Sequence, residues 1–330
     1  MPDPASPPQT PITGVSILIA AHNRCELLAQ TLDSLASLRL PQLPIECVLV
    51  ANACTDDTEG VVRRAAAKFP FALRAVAEPR RGVSFARNRA VAEARHDLLI
   101  FIDSDCRADP DWLLEHLRMY TERGEDAADL VTGRIELWWE DSPTPDWLSP
   151  SMLEALGQHR FSEAPVQLRE PRAYAANFSF RRDVARAVAG EGEPFRTDVG
   201  RSGATGRLAH EETVFARRAM ELGFRFWWTP AAVVHHWVPR SSVSDAFFGR
   251  SAYWGSVSYM LTAEPMSRPR ALLLGLKSWV RAHVCIARLV LANIRVRPRA
   301  ASIARMDLNG ALGRLHGAWC RLTGRNIPRP

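Results

Sequence analysis

The chain has 330 residues, 47% hydrophobic and 24% charged, which excludes a disordered or low-complexity protein and allows a large buried core. Its net charge of +6 is uneven: residues 266–330 hold thirteen Lys+Arg against one acid, Asp307, giving +12 there and −6 over residues 1–265. Six cysteines (Cys25, Cys47, Cys54, Cys106, Cys285, Cys320) form no Cys-x-x-Cys pair, which argues against a zinc site or disulfide framework, and no run of about 18 uncharged apolar residues reads as a membrane span.

An acidic body with a basic tail predicts an anionic partner for the tail. Nothing in the pattern points to nucleic acid. Residues 1–13, rich in Pro, Ser and Thr, read as a disordered lead-in without a signal peptide, so a cytoplasmic, reducing location is expected.

Residues 15–21 are an apolar run and the first predicted strand, with His22-Asn23-Arg24 as its exit. Leu27, Leu28, Thr31, Leu32, Leu35 and Leu38 then recur at helical spacing. Residues 45–51 form a second strand, followed by a polar turn over 52–58 in which Thr55 or Asp56 suits a helix N-cap. Val61, Val62, Ala65, Ala66 and Phe69 mark the next helical face. A third strand covers 72–77, Gly82 breaks the chain before a helix over about 84–95, and 98–102 is a wholly apolar fourth strand. This alternation predicts a parallel, doubly wound α/β sheet. Its strand exits gather polar residues at one sheet edge, where such sheets bind ligands. The absence of Gly-x-Gly-x-x-Gly after the first strand argues against a dinucleotide fold.

The fourth strand runs into Asp103-Ser104-Asp105. In extended backbone the two carboxylates share one side and repel unless a cation lies between them. Hard oxygen ligands suit Mg²⁺ or Mn²⁺, which in turn hold substrate phosphates. The alternative for this tripeptide by itself is an acidic turn.

Residues 15–24, residues 52–58, Glu78-Pro79-Arg80-Arg81-Gly82 with Ala86-Arg87-Asn88, and Asp103-Ser104-Asp105 with Asp111-Trp112-Leu113 resemble the successive motifs of family 2 glycosyltransferases. Residues 175–182 resemble that family's acceptor-side strand, and Glu211-Glu212-Thr213-Val214-Phe215 its Glu-Asp helix motif. Residues 229–239 resemble its late histidine segment, and Arg250 with Gly255-Ser256 a loop or helix that often follows. The resemblance covers residues 14–260 and implies the GT-A fold, a mostly parallel α/β sheet flanked by helices. It divides into a nucleotide-binding half, 14–110, and an acceptor half, 111–260, ahead of a basic helical tail, 261–330.

The resemblance further implies metal-dependent, inverting transfer of a sugar from a nucleoside-diphosphate sugar to a polysaccharide, glycolipid or glycoprotein acceptor. Asp103 and Asp105 would hold Mn²⁺ or Mg²⁺, Asp105 most directly. His236, rather than His235, matches a late histidine near the pyrophosphate or metal, a structural histidine being the alternative. Glu212 falls at the position of the family's catalytic base, with Glu211 the second candidate. Ala20, His22, Asn23, Asn52, Arg81, Arg87, Asp103 and Ser104 would line the donor nucleotide. Ala51-Asn52 replaces the family's common Asp before the Asn, which weakens a UDP assignment, but a UDP-sugar stays ahead of a GDP- or dTDP-sugar. Trp138, Trp139, Trp147 and Phe161 fall in the family's most variable stretch and are expected to divide between core and sugar stacking. Residues 190–206, rich in glycine, read as a mobile loop over the donor or a disordered insertion. Two other readings stay open: a sugar-phosphate nucleotidyltransferase, and a nucleotide-sugar-binding scaffold at the membrane.

In the tail, Arg270, Lys277, Arg281, Arg288 and Arg295 are spaced 7, 4, 7 and 7. They fall on a helical stripe of roughly 40°, with mostly apolar residues elsewhere. Such a helix over 270–295 either lies in the inner-leaflet interface near a lipid-linked acceptor, or packs its apolar face on the catalytic domain or a second subunit. Oligomeric state is not legible.

Overall fold

The computed structural model describes residues 11–139, 144–198, 210–262 and 266–324. Residues 1–10 of the predicted lead-in and 199–206 of the glycine-rich stretch lie outside the described residues. The chain divides into two compact units, one taking in 11–138, 158–197 and 211–237, the other 139, 144–157, 198, 210, 238–262 and 266–324.

The first unit carries β1 (Val15–Ala21), α1 (Cys25–Ala36), β2 (Ile45–Asn52), α2 (Thr58–Ala66), β3 (Ala72–Glu78), α3 (Val83–Glu93), β4 (Leu98–Phe101), β5 (Cys106–Ala108), α4 (Trp112–Thr121) and β6 (Leu130–Trp138). The short α5 (Pro150–Ala155) belongs to the second unit. The first resumes with β7 (Val166–Gln167), β8 (Phe178–Arg181), α6 (Arg182–Ala189), α7 (Glu211–Glu221) and β9 (Phe226–Trp237). One sheet holds every strand in the order β3-β2-β1-β4-β8-β6-β9-β5, with β7 on β9. The four predicted strands pair in parallel as β3-β2-β1-β4. β8 enters antiparallel to both β4 and β6.

The apolar runs are unbroken because both faces of the sheet are covered. Ile17, Ile19, Leu49 and Ile100 feed one core with Leu28, Leu32 and Leu35 of α1. Leu18, Val48, Val50 and Leu99 feed the other with Ala86 and Ala90 of α3. The second core continues into an aromatic cluster in which Phe215 stacks on Phe195 at 4.9 Å and lies 4.5 Å from Phe180. The cap of α2 differs from expectation. Asp57 is the N-cap, while the Asp56 carboxylate accepts from Thr58 N (3.2 Å) and from Cys25 N (2.9 Å), tying the starts of α1 and α2 together.

β9 is bulged: Gly133 pairs with Thr229 but Arg134 pairs with Val233. Asn177 fills the gap. Its Nδ2 donates to the carbonyls of Arg134 (2.9 Å) and Ala232 (2.8 Å), and its Oδ1 accepts from Trp112 Nε1 (2.8 Å) and His116 Nε2 (2.8 Å). Tyr120 OH to Ser179 Oγ (2.7 Å) and Ser179 Oγ to His116 Nδ1 (2.8 Å) complete the chain. Because Asn177 Oδ1 can only accept, His116 carries a proton on Nε2, and since burial lowers its imidazole to about 4, Nδ1 is bare and accepts from Ser179, which fixes the donors along the whole network. A Cβ on Gly133 would lie 2.4 Å from Ala232 O and from Asn177 Nδ2, so only glycine fits there.

The second unit is built on α8 (Asp245–Thr262), α9 (Arg268–Ile294) and α10 (Pro298–Thr323). α10 packs on both others through small residues. A Cβ on Gly313 would meet Tyr253 O at 2.2 Å, and one on Gly317 the Met260 Cβ at 2.5 Å, so the α8–α10 contact depends on their absence. α9 turns Ala271, Ser278, Ala282, Cys285 and Ala292 inward and leaves its large apolar residues exposed. Among the described residues, no helix is long and apolar enough to cross a membrane.

Candidate active site

Most candidate side chains of the first unit sit at strand ends or in the N-terminal half of the helices that follow. At the exit of β1, Asn23 (φ 60°) and Arg24 (φ 62°) both take the left-handed conformation, which turns the chain sharply into α1. Asn23 Oδ1 accepts from Thr55 N at 2.8 Å, and exposed His22 donates from Nδ1 to the Asn52 carbonyl at 2.7 Å, so the β1 and β2 exits are stitched together. Ala20 is half-buried beside them.

Asn52 is spent inside the protein. Its Nδ2 donates to the carbonyls of Glu78 (3.1 Å) and Arg80 (2.7 Å), and its Oδ1 accepts from Gly82 N (2.9 Å). It is 4% exposed. Through these bonds Asn52 positions loop 78–82. Gly82, at φ 145°, makes the turn into α3 that few side chains tolerate. Arg80 pairs with Glu78 through Nε and Nη2, both at 2.9 Å, and this contact holds the Glu78 carboxyl below the usual range. Arg81 is exposed on the same loop.

Asp103, Ser104 and Asp105 leave β4 through a turn rather than extended backbone, so strand alternation does not place the two carboxylates. Each has its own surroundings. Asp105 is held against β9: Trp237 N donates to its carbonyl (2.9 Å), Cys106 pairs with His236, and His236 Nε2 lies 3.7 Å from Asp105 Oδ1. Arg24 Nη1 reaches the other oxygen at 2.9 Å. His235 points to the opposite side and meets Asp109 at 2.9 Å. Asp103 lies 3.9 Å from Arg87 Nη2.

Arg87 is buried at 5% exposure. Its Nη1 pairs with Glu211 and lies 3.5 Å from Glu212 Oε2, so it joins the β4 exit to the start of α7. A cation inside the protein needs carboxylate partners, and α7 supplies two. Glu211, 4% exposed, is the close partner. The Glu212 carboxyl is pushed up to about 7 by burial and then by the Glu211 charge, with Arg87 opposing.

For a divalent cation, the donor chemistry at Asp105 is suitable. A carboxylate and an imidazole converge, His236 Nδ1 is buried with no hydrogen-bond partner, and Arg24 shows that a cation is accepted there. Among the described residues no group of three or more His, Cys, Asp or Glu could hold a metal. A cation at Asp105 would take its other ligands from phosphate oxygens and water, as Mg²⁺ commonly does.

The sequence model described as "Glycosyl transferase family 2" matches residues 16–188, more than half of the chain. The chain belongs to family 2 of the glycosyltransferases. Among its relatives, the succinoglycan biosynthesis protein ExoM of Rhizobium meliloti is 28% identical over 243 residues, 72% of each chain. The glucosyl-dolichyl phosphate glucuronosyltransferase of Haloferax volcanii is 27% identical over 233 residues, 67% of this chain and 68% of that one. The fold is similar to that of the mannosyltransferase PcManGT from Pyrobaculum calidifontis, solved with GDP-Man and Mn²⁺, at a TM-score of 0.55 and 20% identity over 96% of this chain and 76% of that one.

Several site residues of this glycosyltransferase escaped sequence reasoning. Arg24 was legible only as loop, since its partner Asp105 is 81 positions away. Asn88 Nδ2 donates to Glu193 Oε2 (2.9 Å) and Phe195 O (2.7 Å), stapling the segment before residue 199 to α3. Of the aromatics, Trp138 takes the Arg107 guanidinium on its ring face at 3.4 Å, while Trp147 is 40% and Phe161 46% exposed. None of these three is in the core.

Proposed function

We propose that the enzyme moves a sugar from a nucleoside-diphosphate sugar to an acceptor hydroxyl with inversion at the anomeric carbon. The observation that carries this reading is the bridge by Arg87 between Asp103, at the expected diphosphate end, and Glu211 and Glu212, at the expected acceptor end. Glu212 takes the proton of the attacking hydroxyl. As that oxygen bonds to the anomeric carbon, the bond to the diphosphate oxygen breaks and the nucleoside diphosphate leaves. A general base of this kind is needed because an alcohol is not ionised near neutral pH. Glu211 holds Arg87 in place, and Arg87 keeps positive charge between the two carboxylate groups. Asp105 and His236 would hold Mn²⁺ or Mg²⁺, with the remaining ligands from phosphate oxygens and water, and the bound cation would offset the charge developing on the leaving diphosphate. Ala20, His22, Asn23, Arg81 and Ser104 would border the donor.

We infer a UDP-sugar as first-choice donor, ahead of GDP- and dTDP-sugars, and a polysaccharide or lipid-linked glycan as acceptor. The names of the ExoM and glucuronosyltransferase relatives support these acceptor classes. The exposed basic and apolar surface of residues 270–295 supports action at the inner face of the cell membrane. The test is a thermal-shift screen of nucleoside diphosphates and their sugars with and without Mn²⁺, on wild type and Asp105→Ala. The expected result is a Mn²⁺-dependent rise in Tm with one nucleobase class, lost in Asp105→Ala, since ligand binding to the native state raises its stability. A shift that ignores Mn²⁺ or survives Asp105→Ala removes the metal role. No shift with any donor counts against a nucleotide-sugar site in this chain.

A further inference from the structure

The turn joining α9 to α10 is unusual in three independent ways. Ile294 (73%) and Val296 (84%) are the most exposed large apolar side chains among the described residues, and they stand at its tip. Val296 has φ 51°, a left-handed conformation that a β-branched residue rarely takes. Beside the tip lies a cavity of about 290 Å³ lined by Arg288, Arg295 and Arg297 together with Leu291, Ile303 and Ala304. Asp307 also lines it but is drawn to Arg281 at 3.5 Å, and none of these three arginines has an ion-pair partner among the described residues.

The rest of α9 continues the pattern. Its small residues face α10, and the opposite face exposes Leu272, Leu276, Trp279 and Val290. The basic stripe of Arg270, Lys277, Arg281, Arg288 and Arg295 runs along the border between the two faces. Apolar tip, apolar face and a line of basic side chains at their border match the layering of a bilayer surface, where hydrocarbon lies beneath a plane of phosphates.

We propose that the α9–α10 hairpin docks the enzyme on an anionic bilayer, with Ile294 and Val296 entering the headgroup region and a phospholipid phosphate seated between Arg288, Arg295 and Arg297. This rests on the reading of a peripheral membrane enzyme and adds its anchoring point. A second copy of the chain is a poorer occupant, because residues 266–330 carry +12 and would repel their like. A free anion would leave the apolar tip unexplained.

The experiment is co-sedimentation of the full chain with vesicles of phosphatidylcholine, with and without phosphatidylglycerol. It compares wild type, Ile294→Ser/Val296→Ser and Arg288→Gln/Arg295→Gln/Arg297→Gln. All five positions are exposed, so an unchanged Tm is expected. Wild type should prefer phosphatidylglycerol vesicles, the triple variant should lose about tenfold or more of that partition, and the double variant should bind both vesicle types less. Wild type left in the supernatant, or variants that sediment like wild type, would overturn the proposal. So would sedimentation velocity showing a dimer that Ile294→Ser/Val296→Ser dissolves, which would assign the face to a second copy. Hydrolysis of a soluble nucleotide sugar is read in parallel. Intact hydrolysis without vesicle binding sinks the docking alone, and vesicle binding without hydrolysis sinks the catalytic reading alone.

Discussion

Glu212 combines burial, a neighbouring Glu211 charge and an opposing Arg87, and its carboxyl is raised to about 7 as a result. A carboxyl near neutrality is a better proton acceptor than an ordinary glutamate, provided it is ionised when the hydroxyl attacks. The sign follows: transfer should rise with pH as Glu212 loses its proton around 7 and level off above. A cation bound at Asp105 would move the midpoint down. Initial rates across pH 5.5–9 check this, and a profile flat across neutrality counts against Glu212. Glu212→Gln should lower turnover by about 10²- to 10⁴-fold while donor binding, followed by calorimetry, stays close to wild type. Loss of donor binding instead would make Glu212 a structural partner of Arg87. Residue types at this site were legible in the sequence, but roles were not. Arg87 and Asn52 read as ligand-binding groups there, and the fold adds internal partners to both, carboxylates for one and loop 78–82 for the other.

Strand β9 delivers His236 only because it is bulged, and the bulge is held by Asn177 with His116, Ser179 and Tyr120 behind it. Burial lowers the His116 imidazole to about 4, and burial with nearby Arg172 lowers His159 to about 4 as well. Both are neutral when folded and titrate near 6.5 when unfolded, so the unfolded chain binds more protons between those values. Their contribution is complete above about 6.5 and is lost as pH falls toward 4, at roughly 3 kcal/mol per histidine. Urea denaturation at pH 7.5 and pH 5 should show a clear loss of stability at the lower pH, reduced in His116→Gln. Equal stability at the two pH values would mean that the network tolerates the imidazolium. The parallel strands were readable from apolar runs. The bulge was not, because Gly133 and Asn177 matter through each other, 44 positions apart.

Over the whole molecule the charge is divided, +12 on residues 266–330 against −6 before them. Attraction of the basic tail to an anionic surface acts through water and falls off within about 8–10 Å at physiological salt. Vesicle binding should therefore weaken strongly between low salt and about 0.5 M NaCl, while hydrolysis of a soluble donor changes little. Binding indifferent to salt would mean that apolar insertion carries the affinity by itself.

The sequence by itself determined the parallel half of the sheet, the α9 helix and the family. Each rests on local periodicity or on motifs a few residues long, and both faces of a buried strand or one face of a helix are written in consecutive residues. Tertiary structure decided which polar groups remain available. Asp105 gains Arg24 and His236, Asp103 is linked through Arg87 to Glu211 and Glu212, and Asn52 is consumed by a neighbouring loop. It also decided that α9 turns its small residues inward and its large apolar residues outward. Helical spacing defines the two faces but not which one is covered, because that depends on how closely α10 can approach.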